Sequence, residues 1–188
     1  DHIEMSVWKV LFSMDIIQDN HLRFPDKKYL CEDIIFDFDY YLLSKRVAMS
    51  DDTGYCYCLN GESLSQMYQK TTFDRISFQT AEMRRLAVKV GMDEEAFLRI
   101  DNFYVGNLIH HIKTMVACVD KVGKRECQKE IKKVCEDNCV RNVNWDNLEK
   151  CFSGRDKIPY KMMEKCKPLA LYNYLRLLTT VRRIVRRQ

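Results

Sequence analysis

Glycine and proline are scarce in this chain, six and three among 188 residues. An all-β sandwich or barrel of that length needs more turn punctuation, so the scarcity favours long helices. No apolar run reaches the roughly 18–20 residues of a membrane span, and no transmembrane segment is expected. The spacing C-x-x-C never occurs, which removes the usual zinc-ribbon and thioredoxin-like readings. Also missing are N-x-[ST] sequons, a P-loop, a nucleophile elbow, H-E-x-x-H and a dinucleotide fingerprint. The four histidines are His2, His21, His110 and His111. The last two are adjacent and diverge by about 100° on a helix, so they form no i,i+4 metal pair and read as surface or half-buried residues. Asp37 and Asp39 in FDFDY, two apart, diverge further on a helix and read as a solvated acidic edge. No catalytic residue, cofactor or resident metal is expected, and the chain reads as a non-enzyme.

What is present describes a globular helical protein. Hydrophobic residues make up 46% and charged residues 31%, outside the disordered range. The expected fold is all-α: a compact, disulfide cross-linked bundle of about seven helices in a single domain, 1–188. Apolar residues over 3–17 fit a buried helix. Leu30, Ile34, Phe38 and Leu42 at four-residue steps predict another over 29–47, introduced by Pro25. The stretch 49–61 is a loop, and ESLSQMYQK a short helix. Helices follow over 80–91, with Thr80 as N-cap and Gly91 as stop, and over 93–119, with a kink at Gly106. The remainder falls into helices over 124–139, 144–154, 158–166 and 169–188, the last two separated by Pro168.

Nine cysteines suggest an oxidising compartment and about four bridges, with one thiol unpaired or linking a dimer. They are Cys31, Cys56, Cys58, Cys118, Cys127, Cys135, Cys139, Cys151 and Cys166. An opening at Asp1 rather than Met fits a processed mature protein or a trimmed chain, and with the cysteines the expectation is a secreted, extracellular protein. Cys56 and Cys58, in the turn-like YCYCLNG, stand too close to bridge each other. They read as two fastening points toward cysteines of the second half. Cys135 and Cys139, four apart, are expected on one helix face as receiving points.

C135-EDN-C139 resembles the middle cysteine pair of insect odorant-binding proteins and the related D7 salivary proteins. That resemblance spans residues 118–166; Cys118 and Cys127 intervene upstream, and Cys56-x-Cys58 has no counterpart in the pattern. It implies a secreted helical carrier of small apolar ligands. Lysine-rich helices with scattered cysteines are also similar in style to secreted salivary proteins of blood-feeding insects, which act on host tissue.

Charge is the main functional clue. The net of +4 conceals a gradient: −5 over 1–60, −1 over 61–120 and +10 over 121–188. Lys129, Lys132 and Lys133 follow Lys121, Lys124 and Arg125 in one segment, where Glu126 and Glu130 stand at pairing distance. Arg182, Arg183, Arg186 and Arg187 end the chain with no acid anywhere in 169–188, while Leu171, Leu175, Leu178 and Ile184 or Val185 are expected to face the core. Arginine favours bidentate recognition of sulfate and phosphate. The expected partner is therefore a protein receptor, a sulfated glycosaminoglycan, a phosphate-rich ligand or an acidic membrane surface. Nucleic acid is not expected, because the basic residues lack aromatic interleaving.

A second class of function stands beside this one. Trp8, Phe12, Phe36, Phe38, Phe97, Phe103 and Tyr104 could line a pocket for a small apolar ligand, with methionine making it adaptable. More often such residues simply fill a helical core. The reading taken forward is a secreted interaction protein with a basic C-terminal third, with the carrier as the alternative.

Overall fold

The computed structural model describes residues 7–25, 32–51, 54–56, 58, 68–148, 152 and 157–185. Among these residues every regular element is helical: a 3-10 turn and ten α-helices, with no strand. The count exceeds the seven expected in part because the short turns Val119–Val122 and Asn138–Arg141 stand as helices of their own. The chain divides into two compact units, Asp1–Gly61 and Glu62–Gln188.

In the first unit a 3-10 turn, Val7–Lys9, precedes α1 (Met14–Asp19) and α2 (Glu32–Leu43). The continuous helix expected over 3–17 is broken. The backbone N–H of Ser13 donates to the Tyr40 hydroxyl at 2.7 Å. The Phe12 ring meets Phe36 and Tyr40 edge-on, with centroids 5.4 and 4.7 Å apart. These dockings commit 10–13 to α2 instead of to a helix of its own. Ile35, Phe36 and Tyr40 are the buried apolar residues of α2, and Phe24 stacks on Phe36 at 4.4 Å.

The second unit contains α3 (Thr72–Lys89), α4 (Glu94–Ala117), α5 (Val119–Val122), α6 (Lys124–Glu136), α7 (Asn138–Arg141), α8 (Trp145–Leu148), α9 (Lys157–Glu164) and α10 (Pro168–Val185). Helix α3 starts a full two turns before the expected Thr80. Phe73 and Ile76 extend the buried face upstream, and Thr80 lies mid-helix with its hydroxyl donating to the Ile76 carbonyl. Its end is as read. Gly91 has φ +66°, and the N–H of Met92 returns to the Ala87 carbonyl at 2.9 Å, a Schellman closure.

Asp93 caps α4 by accepting from Ala96 N–H at 3.0 Å. The helix then runs unbroken through Gly106. Its wholly buried side of Tyr104, Val105, Leu108, Ile112, Met115 and Val116 is the centre of the core. Ile131 and Val134 of α6, Tyr160 and Met163 of α9, and Leu171 and Leu175 of α10 close on it. Pro168 occupies the first turn of α10, where its missing N–H costs nothing. Helix α10 packs along α6, α9 and α4, and α3 along α4.

The cysteines differ from expectation. Cys56, Cys58, Cys118, Cys127, Cys135, Cys139 and Cys166 are free thiols, with no bridge among the described residues. Cys31 and Cys151 lie outside the described residues, as do ESLSQMYQK over 62–67 and most of YCYCLNG. Cys135 and Cys139 do not share a helix face. Asp137 takes an extended backbone, ends α6, and caps α7 by accepting from Cys139 N–H at 2.8 Å. Cys135 is therefore sealed in the core while Cys139 is exposed beyond the break.

Candidate functional site

Helices α6 and α10 run antiparallel, and this decides how the basic residues group. At one end the Cys166 thiol, just before α10, donates to the Cys135 carbonyl near the end of α6 at 3.5 Å. At the other end Arg183 of α10 reaches Asp120 of α5 at 2.9 Å and the Ala117 carbonyl at the end of α4 at 3.0 Å. A guanidinium on the terminal carbonyls of α4 complements that helix's dipole. The same contact sets the end of α10 against the corner where α5 meets α6. Lys121, Lys124 and Arg125 of that corner are exposed, as are Arg182 and Arg183. Five cations thus share one end of the unit, with Asp120 and Glu126 the acids among them. Arg182, Lys121, Lys124 and Arg125 have no ionic partner among the described residues.

The other predicted cations are placed elsewhere. Lys129, Lys132 and Lys133 lie more than a turn further along α6. Instead of the i,i+3 glutamate expected from sequence, Lys133 pairs with Asp74 of α3 at 3.1 Å and sits 4.7 Å over the Phe73 ring. Lys132 faces Glu136 at 3.9 Å. Lys129 is exposed and unpaired among the described residues. Arg186 and Arg187 lie outside the described residues. Of the two basic clusters read from sequence, the structure brings Lys121, Lys124 and Arg125 of the first to the same end as Arg182 and Arg183 of the second. Linear sequence could not find that corner, because its organising contact, Arg183 to Asp120, spans 63 residues.

Two buried polar groups also depart from expectation. Asp37 has no exposed surface and neither carboxylate oxygen has a hydrogen-bond partner, so it is no solvated edge. Burial, with the nearby Asp33 charge second, pushes its pKa up to about 6. His111 is 3% exposed and stacks on Tyr68 at 5.6 Å. Its Nε2 stands 3.9 Å from Glu130 Oε1, beyond hydrogen-bond reach, and neither atom has another partner. Burial first, then His110 and Lys133, lowers the His111 pKa to about 4. Burial raises Glu130.

Chemistry at the cysteines is restrained. Burial pushes the Cys135 thiol up to about 12 and raises Cys127, so both are held as poor nucleophiles. Among the described residues no three His, Cys, Asp or Glu side chains gather as a cation site. The aromatic residues proposed for a pocket divide between the units: Trp8, Phe12, Phe36 and Phe38 in the first, Phe97, Phe103 and Tyr104 in the second. An apolar crevice in the second unit is lined instead by Ile109, Ile112, Pro159, Met163, Leu171 and Leu175, and has no room for a water molecule. No family model, curated protein or solved structure matches this chain.

Proposed function

We propose that this protein is a secreted, non-enzymatic interaction module that binds a polyanionic partner through the basic corner of its second unit. The observation that carries this reading is the Arg183 contact with Asp120 and Ala117, which brings the arginines of α10 beside Lys121, Lys124 and Arg125. Convergent cations on separate helices focus a field that one solvated helix face does not. Guanidinium groups among them suit sulfate or phosphate. A carrier of small apolar ligands would need a cavity, which the described α4–α9–α10 crevice does not supply. Interaction is the preferred reading on the strength of the basic corner.

The test is elution from immobilised heparin as a function of salt. Changing Arg182 and Arg183 together to Ala is expected to lower the eluting salt clearly, and Lys121, Lys124 and Arg125 to Ala to lower it comparably. Lys132→Ala with Lys133→Ala should move it little. Equal loss from the last pair would return the site to the α6 lysines and reject the corner.

The extracellular reading carries a specific bridge. Cys166, at φ +45°, brings its sulfur against the backbone of Cys135. In an oxidising compartment we propose that these two thiols join, with Cys166, the less buried of the two, as the attacking one. They would give up two protons and two electrons to an exchange disulfide such as oxidised glutathione, which leaves as two thiols. The bridge would tie the end of α6 to the α9–α10 turn. Peptide mapping of secreted protein without reduction should recover the Cys135–Cys166 pair; recovery of both as free thiols rejects the bridge.

A further inference from the structure

Helices α4 and α6 meet in successive rungs on either side of the α5 turn. His111 of α4 faces Glu130 of α6 at 3.9 Å. One turn further along α4, the Met115 carbonyl accepts from the Cys127 thiol at 3.8 Å. The pairing climbs α4 as it descends α6, so the two helices are antiparallel here. Next on the same ridge of α4, seven residues past His111 and three past Met115, stands Cys118. Its backbone N–H donates to the same Met115 carbonyl at 3.1 Å. Cys118 and Cys127 thus converge on one oxygen from two helices. Both are free thiols, Cys127 wholly buried and Cys118 half-buried. Arg176 of α10 approaches the same place. Burial raises the Cys127 pKa, and the Arg176 charge opposes that rise. The Arg176 Nη1 is itself buried without a hydrogen-bond partner, a costly state that a thiolate beside it would relieve.

We propose that Cys118 and Cys127 form a disulfide that clamps the basic corner. The loop it closes, 118–127, carries Lys121, Lys124 and Arg125, three of the five corner cations, and Asp120, the acceptor of Arg183. It also contains the turn at Gly123, φ +90°, where α6 begins with no side-chain cap. This inference rests on the polyanion reading and adds to it a dependence on redox state. Cys118, the accessible thiol, attacks an exchange disulfide such as oxidised glutathione. A Cys118–glutathione bond forms, the glutathione disulfide breaks, and one glutathione leaves as a thiol. The Cys127 thiolate, stabilised by Arg176, then attacks the Cys118 sulfur and displaces the second glutathione. Two protons and two electrons pass from the protein to the glutathione disulfide.

The test oxidises the reduced full chain with oxidised glutathione and digests it with trypsin under non-reducing conditions. Trypsin cuts after Lys121, Lys124 and Arg125, so the bridge holds peptides 114–121 and 126–129 together as one mass. Cys127→Ala should trap Cys118 as its glutathione adduct, and Arg176→Gln should prolong that adduct. On heparin the oxidised parent should elute at higher salt than the reduced parent. Cys118→Ser should erase that difference, and Cys166→Ser should keep it. Recovery of Cys118 or Cys127 as a free thiol, or joined to any other cysteine, overturns the bridge. An adduct that resolves as fast in Arg176→Gln as in the parent removes the arginine from the step. A mapped bridge with equal elution in both redox states overturns the clamp. If heparin holds neither state, the polyanion reading itself fails, and the peptide map still decides the bridge.

Discussion

The two units reach stability by different means. In Glu62–Gln188 the interior is aliphatic and deep: Leu108, Ile112, Val116, Ile131 and Leu148 have no exposed surface. Among its described residues Asp1–Gly61 buries little more than Ile35, Phe36 and Tyr40 of α2, and closes over them with rings, Phe12 edge-on and Phe24 stacked. Their charges also oppose, −5 for the first unit and +9 for the second. A long amphipathic helix can fill a core by period alone. A short acidic segment with only short described helices depends on particular ring contacts and hydrogen bonds, and tolerates odd burials such as Asp37.

The sharpest test of that contrast is in the larger core. Each unit holds one tryptophan: Trp8 against Tyr55 at 4.5 Å in the first, and Trp145, donating to the Val140 carbonyl, in the second. Leu108→Ala should cost about 2–5 kcal/mol in urea unfolding followed by Trp145 fluorescence in a Trp8→Phe background. A loss under about 1 kcal/mol would mean that the α4 interior is not the centre of this core.

Next in size come two pH effects of opposite sign. For Asp37 the folded pKa, about 6, lies above the ordinary 3.8. Its contribution is fully present below pH 3.8 and is lost as pH rises through 6. Asp33 and Tyr41 are the neighbouring titratable groups. Asp37→Asn should raise stability at pH 8 by about 1–3 kcal/mol and flatten this slope, read on Trp8 in a Trp145→Phe background. His111 behaves in reverse. Its folded pKa of about 4 lies below 6.5, so its contribution is present above pH 6.5 and is lost as pH falls through 4. His111→Phe, which keeps a ring on Tyr68, should remove about 1–3 kcal/mol of acid sensitivity from the Trp145 transition. Slopes of the same sign in both parent units would break the comparison.

Legibility in sequence followed the same division. Helices α4 and α10 were readable because their apolar spacing is long and regular, and Asp93, Gly91 and Pro168 punctuate as their chemistry predicts. The break at Asp137 was not readable, since the residues on both sides favour helix and only the cap on Cys139 ends α6. Nor was the 10–13 segment, whose conformation is set by Tyr40 from 27 residues away. Asp37 read as a solvated edge and His111 as surface or half-buried because sequence displays their polarity and conceals their packing. The basic charge of the C-terminal third was plain, but its grouping required the antiparallel pairing of α6 with α10. Of the two residues offered for the core at that level, Ile184 lies outside, because helical period continues past the point where neighbouring helices stop.

The smallest expected change in stability is at the functional corner. Arg183 and Asp120 are 50 and 67% exposed, and an ion pair in that setting is worth about 0.2–1 kcal/mol. The bond to Ala117 adds a share of similar size through the dipole of α4. Arg183→Ala should therefore shift the Trp145 transition by less than about 1.5 kcal/mol while clearly lowering the salt of heparin elution. Arg183→Lys separates charge from geometry. Lysine keeps the charge but cannot hold Asp120 and the Ala117 carbonyl with one planar fork. If position is what matters, the Arg183→Lys variant should elute between the parent and the alanine variant. Elution equal to the parent would make the corner a pool of charge, and would remove the contact on which its arrangement depends.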